Sequence, residues 1–184
     1  MKLSDFVFNA SSGVYSCNAE IKQINYLDGS ERYLYEVLKS THDLSLLSAE
    51  LKAAIKDWPS LYHFSTYRAT ILDCFNFQNR EARVLELGAG CGAVTRWFGE
   101  HFDDVHAVEG SFQRAAVARL RCRDLSSVKV YASNFFDLDV DKQFDIVTLI
   151  GVLEYSHLYH PVHREKPHDA ALSTLRFEIG RAHV

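Results

Sequence analysis

Two acids and a glycine turn are the residues of this chain best suited to chemistry. Gly88, Gly90 and Gly92 fall in "VLELGAGCGAVT", directly after an apolar run, with Glu86 just ahead of them. A second apolar run, "VHAVEGS", ends on Glu109. Glycines between a strand and a helix let a ligand come close to the backbone. A phosphate-gripping loop would need a Lys beside Ser or Thr, and neither follows here. The dinucleotide spacing G-x-G-x-x-G is met except that Ala93 holds the third glycine position, so spacing alone leaves a dinucleotide open.

Charge separates the two readings. A carboxylate at Glu86 beside a pyrophosphate adds like-charge repulsion in a partly dry pocket, whereas beside an ammonium or sulfonium it attracts. Glu109, ending its strand, is placed to accept both hydroxyls of a ribose, each such bond contributing roughly 1.5–3 kcal/mol. A ribose acceptor, a close-approach turn and negative charge together describe a cationic nucleoside without phosphates. The expected cofactor is S-adenosylmethionine.

The elements that must position these residues follow from hydrophobic periodicity. From Val84 onward, apolar runs ("VLEL", "VHAVE", "VKVYAS", "FDIVTLIGVL") alternate with helical patterns. Strands apolar on both faces and separated by helices imply an α/β, Rossmann-like parallel sheet of about four core strands, with helices on both faces. Right-handed crossovers put the glycine turn at the C-terminal edge of the sheet. The first helix is expected to bury Val94, Trp97, Phe98 and Phe102. Ser111 should cap the second, whose inner face includes Phe112, Ala116 and Leu120. Residues 1–83 read as a mostly helical lead-in. A short strand precedes a turn at Asp28-Gly29 and a helix capped near Ser30. Leu47, Leu51, Ile55 and Trp58 lie at helical spacing before a stop at Pro59, and Ser65 caps a third helix burying Ile71, Leu72 and Phe75.

"VLELGAGCGAVT", "VHAVEGS", "VYASNFFDL" and "FDIVTLIGVLEY" resemble, in order, the motifs of class I S-adenosylmethionine-dependent methyltransferases, over residues 84–155. More narrowly, "DWPSLYHFSTYRATIL" and "RCRDL" resemble bacterial methyltransferases associated with surface-polysaccharide glycosyltransferases. The resemblance implies a strand order 3-2-1-4. It implies that Glu86, Gly88, Gly90 and Gly92 wrap the methionine and ribose, that Glu109 takes the ribose hydroxyls, and that Gly110 or Ser111 lies under the adenosine. Asn134, where the family usually has Asp, would meet the adenine amino group, Phe135 would wall the ring, and Ile150 and Gly151 would lie near the sulfonium. Tyr62, His63 and Arg68 are candidates for closing over the cofactor, Arg68 by pairing with the methionine carboxylate. Glu154 and His157, after the fourth strand, are the candidate general bases, set against a reading of that segment as an exposed polar loop.

Other features carry less chemistry. His157, His160, His163 and His168 lack metal-ligand spacing, so no metal site is expected. Cys91 reads as a packing residue, and Arg114, Arg119, Arg121 and Arg123 as a solvated basic helix face. The net charge of −4 gives no electrostatic reason for a nucleic-acid partner. Four scattered cysteines, no signal-like segment and no spanning stretch make a cytoplasmic protein without membrane insertion the expectation. No N-P-P-Y type motif follows the fourth strand, which favours a small-molecule or glycan oxygen as acceptor over a nucleic-acid base. The alternatives are an NAD-dependent oxidoreductase or sugar-nucleotide enzyme, and a non-catalytic cofactor-binding fragment. Residues 84–177 read as a partial domain. The tail "EIGRAHV", read back into codons, matches a widely used sequencing adapter followed by a stop. Residues 178–184 are therefore expected to be non-native, with the natural protein continuing past Phe177.

Overall fold

The computed structural model describes residues 2–17, 27–140, 143–159 and 166–182. Its strands are β1 (Val7–Asn9), β2 (Val14–Ser16), β3 (Arg83–Leu87), β4 (Asp104–Glu109), β5 (Val128–Ala132) and β6 (Ile146–Leu149). Its α-helices are α1 (Glu31–Ser40), α2 (Ala49–Ala53), α3 (Trp58–Phe64), α4 (Ala93–His101), α5 (Phe112–Arg121), α6 (Ser156–Tyr159) and α7 (Pro167–Ala182). They build one sheet of order β1-β2-β5-β4-β3-β6, in which only the β1–β2 pairing is antiparallel. The four core strands thus take the expected 3-2-1-4 order.

Register follows from burial on both faces of β3 and β4. Leu85 pairs with His106 and Leu87 with Val108, which brings the C-terminal tips of the two strands side by side. On one face Val84, Val105 and Ala107 pack with Val94, Trp97, Phe98 and Phe102 of the α4 region, the apolar face expected for that helix. On the other, Leu85, Leu87 and Val108 meet Leu3, Phe6, Tyr131 and Leu138. Helix α7 packs against β6.

The lead-in differs from expectation in several places. It is mostly helical, yet it also gives the sheet two strands. Asn9 accepts from the amides of Ser11 and Ser12, and Gly13 takes φ +69°, closing a hairpin whose second strand pairs with β5 at Tyr15 and Ser16. The strand expected before Asp28 lies outside the described residues. Pro59 does not stop a helix; it sits in the first turn of α3, where its missing N–H has no helical partner to lose. Asp57 caps α3 by accepting from the Ser60 amide at 2.9 Å. Ser65 ends that helix instead of starting another, and residues 69–72 form a single 3-10 turn that buries Leu72 but leaves Ile71 and Phe75 exposed. Leu47 and Trp58 are also exposed, because α2 is too short to carry a continuous stripe.

Helix α5 corrects two expectations. Ser111 caps it as expected, but its buried residues are Arg114, Ala115, Val117, Ala118 and Arg121, with Phe112, Ala116 and Leu120 half-buried. Two of the four arginines are not solvated either, whereas Arg119 is half-buried and Arg123 exposed. Helix α1 packs on the side of α5 away from the sheet, so Arg114 and Arg121 are enclosed and Arg123 donates to the carbonyls of Leu38 and Thr41.

Gly99 tests the packing of α4 on the sheet. An added methyl would lie 2.5 Å from Val128 Cγ2 and 2.7 Å from Leu125 Cδ1, and Val128 is a stiff, buried neighbour. Helix propensity alone would make Gly99→Ala stabilising by about 1 kcal/mol. Overpacking reverses the sign, and the variant should lose about 1–3 kcal/mol in urea denaturation. An unchanged or raised midpoint would refute this packing.

Candidate active site

The turn from β3 into α4 is held from three sides. Gly88 and Gly92 take φ +79° and +85°, a region unfavourable to other residues. A Cβ on Gly92 would lie 2.8 Å from Ala118 Cα of α5, and one on Gly88 would collide with the Val152 side chain. The amides of Gly88 and Ala89 both donate to the Val108 carbonyl, that of Gly92 to Ala89, and that of Gly90 to Glu109 Oε2 at 2.8 Å. The turn is therefore bound to the tip of β4, and most of its amides are already in use.

Glu109 links turn and helix. Its second oxygen accepts from the Ser111 amide at 2.9 Å, directly before α5. Each carboxylate oxygen can accept more than one hydrogen bond, so capacity remains after these two. Glu86 is more deeply enclosed. It accepts from Thr95 Oγ1 at 2.6 Å, and burial pushes its carboxyl up to about 7, with Thr95 and Arg68 opposing the rise.

Both acids line a cavity of about 440 Å³ at the C-terminal edge of the sheet. Gly88, Gly90, Gly110, Asn134, Phe135, Ile150 and Gly151 line it too. Of the residues the sequence assigns to the cofactor, Gly92 is absent from the wall because it packs on α5, and Ser111, the alternative to Gly110, is absent too. Asn134 accepts from the Phe136 amide at 3.1 Å, which fixes its side chain at the start of a 3-10 turn. Glu154 is exposed and lines the cavity, whereas His157 lies on α6 outside the lining, with Nδ1 buried and without a hydrogen-bond partner. His160 and His163 lie outside the described residues. Among the described residues no group of three or more His, Cys, Asp or Glu is placed to hold a metal ion, and no helix is long and apolar enough to cross a membrane.

Helix α3 and the segment after it close the other side, as the sequence suggests for Tyr62, His63 and Arg68. The Arg68 guanidinium lies 4.1 Å over the Tyr62 ring and donates to the Ile150 carbonyl at 3.1 Å. Burial lowers its pKa, while Glu86 and Glu154 oppose the shift. His63 is buried, and burial together with Arg114 holds it down at about 4, so it is neutral at pH 7. Its Nε2 lies 3.6 Å from Asp28. Cys91 is a buried thiol pushed up to about 12 by its surroundings, consistent with packing and not with nucleophilic use.

Sequence reasoning missed Asp28 and Arg114 in the wall. Asp28 carried no signal beyond its turn. Arg114 had one: Arg114, Ala118 and Arg121 fall on one helical stripe beside Ala115, and small residues mark a closely packed face.

A family model for methyltransferase domains matches residues 85–176. An uncharacterized methyltransferase of Staphylococcus carnosus is 31% identical over 90 residues, which cover 49% of this chain and 39% of that protein. The chain thus spans about two fifths of the length of that relative. Among solved structures, a sugar N-methyltransferase from Streptoalloteichus is 30% identical over 48% of this chain and 34% of its own, with a TM-score of 0.36. A complex named DhpI-SAM-HEP is 23% identical over 79% of this chain and 56% of its own, with a TM-score of 0.46.

The proton on Glu86 makes folding pH-dependent. The folded state holds it up to about pH 7, and an ordinary carboxyl releases it near 4.5. This contribution to stability is complete below pH 4.5 and is lost as pH rises through 7. Glu86→Gln keeps the shape and removes the titration. Without ligand, the variant should match the parent near pH 4.5 and exceed it at pH 8, by up to about 3 kcal/mol. Urea denaturation at the two pH values reads the difference, and a constant gap would refute the assignment.

Proposed function

The chain belongs to the methyltransferase-domain family, and from that premise we propose that its cavity binds S-adenosylmethionine and transfers the methyl group to an oxygen of a small-molecule or glycan acceptor. The observation that carries the reading is the state of the glycine turn. A pyrophosphate needs free amides at such a turn. Here the amides of Gly88, Ala89, Gly90 and Gly92 donate to protein acceptors, one of them the carboxylate of Glu109. Arg114 does not restore a phosphate site, because its charge is coupled to Glu109, Asp28 and Glu31.

The residues present fit a cationic nucleoside. Glu86, a buried carboxyl poised near neutrality, gains from a cation and would ionise beside one. Glu109 is fixed by two amides and would take the ribose hydroxyls. Gly110 would lie against the adenosine, Asn134 and Phe135 would hold the adenine, and Ile150 and Gly151 would border the reacting end. Arg68, electrostatically coupled to Glu86 and Glu154, would meet the methionine carboxylate. When bound, the cofactor would supply an electrophilic methyl group on a sulfonium, for transfer to an acceptor oxygen with the thioether as leaving group. The chain's part is to align the acceptor, exclude water and take the acceptor's proton. Glu154, exposed on the cavity wall, is assigned as that base. His157, the second candidate, would support the segment from α6.

Calorimetric titration tests the donor assignment. S-adenosylmethionine should bind and NAD should not. Glu109→Ala should weaken S-adenosylmethionine binding about tenfold or more, through loss of charge-assisted hydrogen bonds. Binding of NAD alone would overturn the reading, and an unchanged affinity in the variant would remove Glu109 from the ribose.

A further inference from the structure

The outer end of the same cavity is lined by aromatic surface. Trp58, the first residue of α3, is 72% exposed. Tyr62 follows one helical turn later, with the two ring centroids 6.5 Å apart. Across the mouth, Tyr155 is 40% and Leu158 44% exposed. All four line the cavity. A Trp this exposed is uncommon, and aromatic side chains gathered at a cavity mouth mark a place where a partner surface is covered. The indole is held there by local structure. Asp57 caps α3, Pro59 stiffens its first turn, and the helix anchors itself through Ser60, His63 and Phe64.

Charge narrows what can lie on these rings. The Arg68 guanidinium already rests over Tyr62, with Glu86 and Glu154 as its electrostatic partners. That guanidinium and the exposed Glu154 carboxylate offset each other, so neither a cationic nor a phosphorylated acceptor meets an uncompensated charge there. The mouth is therefore matched to a neutral group. Aromatic planes beside an exposed carboxylate suit a molecule with an apolar face and a polar edge, which is the form of a hydroxylated ring: its C–H face lies on the ring and its hydroxyls reach Glu154 or water. We infer that Trp58, Tyr62 and Tyr155 form a stacking subsite that selects a neutral glycosyl ring as the methyl acceptor. This deepens the proposed function and rests on it, placing the acceptor between α3 and the segment after β6.

The chain has two tryptophans, and Trp97 is buried, so the exposed indole dominates any ligand-induced change in emission. The test is a fluorescence titration of the full chain saturated with S-adenosylhomocysteine. The probes are neutral methyl glycosides of hexoses and 6-deoxyhexoses, with cyclohexylamine, glucose 6-phosphate and phenol as comparisons. At least one glycoside should shift the emission. Followed by calorimetry, Trp58→Ala should weaken its binding about tenfold, Trp58→Phe should retain most of it, and S-adenosylhomocysteine affinity should stay within about twofold in both. A response to the amine, the phosphate or phenol without any glycoside would overturn the inference, as would equal glycoside affinity in Trp58→Ala. If S-adenosylhomocysteine fails to bind the parent chain, the donor assignment falls. The glycoside titration is then judged by the same criteria without it.

Discussion

The carboxylate of Glu109 is the hub of this structure. One of its oxygens holds the Gly90 amide and the other holds the Ser111 amide, so a single side chain ties the turn before α4 to the cap of α5. Two helices and two strand tips are thereby fixed relative to one another by charge-assisted bonds in a nearly buried setting. The Val108 carbonyl, accepting from both Gly88 and Ala89, makes the same junction from the backbone side. Backbone amides satisfied in this way are closed to an anion, and in the proposed reading the carboxylate that satisfies one of them would set the sign of the ligand. Fold and specificity would then rest on one interaction.

The cavity around that hub alternates charge instead of accumulating it. Arg114 is coupled to Glu109 and Asp28 on the α5 side, and Arg68 to Glu86 and Glu154 on the β6 side. His63, neutral at about pKa 4, adds no charge near pH 7. Such interleaving keeps each buried ion near a partner, without which burial would cost several kcal/mol. Glu86 is the exception. Its burial outweighs both Arg68 and the one hydrogen bond it accepts among the described residues, from a neutral hydroxyl, so it holds its proton unusually tightly. It is thus the group whose ionisation a cation would change most.

What could be read in the sequence divides along physical lines. Apolar runs leave little freedom, so β3 to β6 and the helix burying Trp97 and Phe98 were legible from periodicity, whereas their order came from the resemblance of the motifs to a known family. Glu86 and Glu109 were legible because strand tips are set by the same runs. The lead-in was not. Its helices are short, and what decides them is capping by Asp57 and the first-turn place of Pro59, which reads as a stop when only breaker residues are considered. The β1–β2 hairpin depends on Asn9 and Gly13 and on docking against β5, a contact no local pattern encodes. Arg114 and Arg121 were misread for a related reason. A charged helix face counts as solvated only until a second layer covers it, and α1 does so here.

This division also separates the parts of the site. The proposed donor end is built from strand tips locked by the sheet, where a change at Glu109 would disturb α5 as well as a ligand, and one at Gly92 would disturb α5. The proposed acceptor end is built from one short capped helix and the turn after β6. Within α3, Ser60, His63 and Phe64 face inward and anchor the helix, while the exposed Trp58 and the half-buried Tyr62 line the mouth. An exposed side chain on a capped helix can be exchanged with little loss of stability, since neither core nor cap is touched. The contacts that would hold the donor are therefore the same ones that hold the sheet together. Trp58, the exposed ring proposed to meet an acceptor, could change without disturbing that lock.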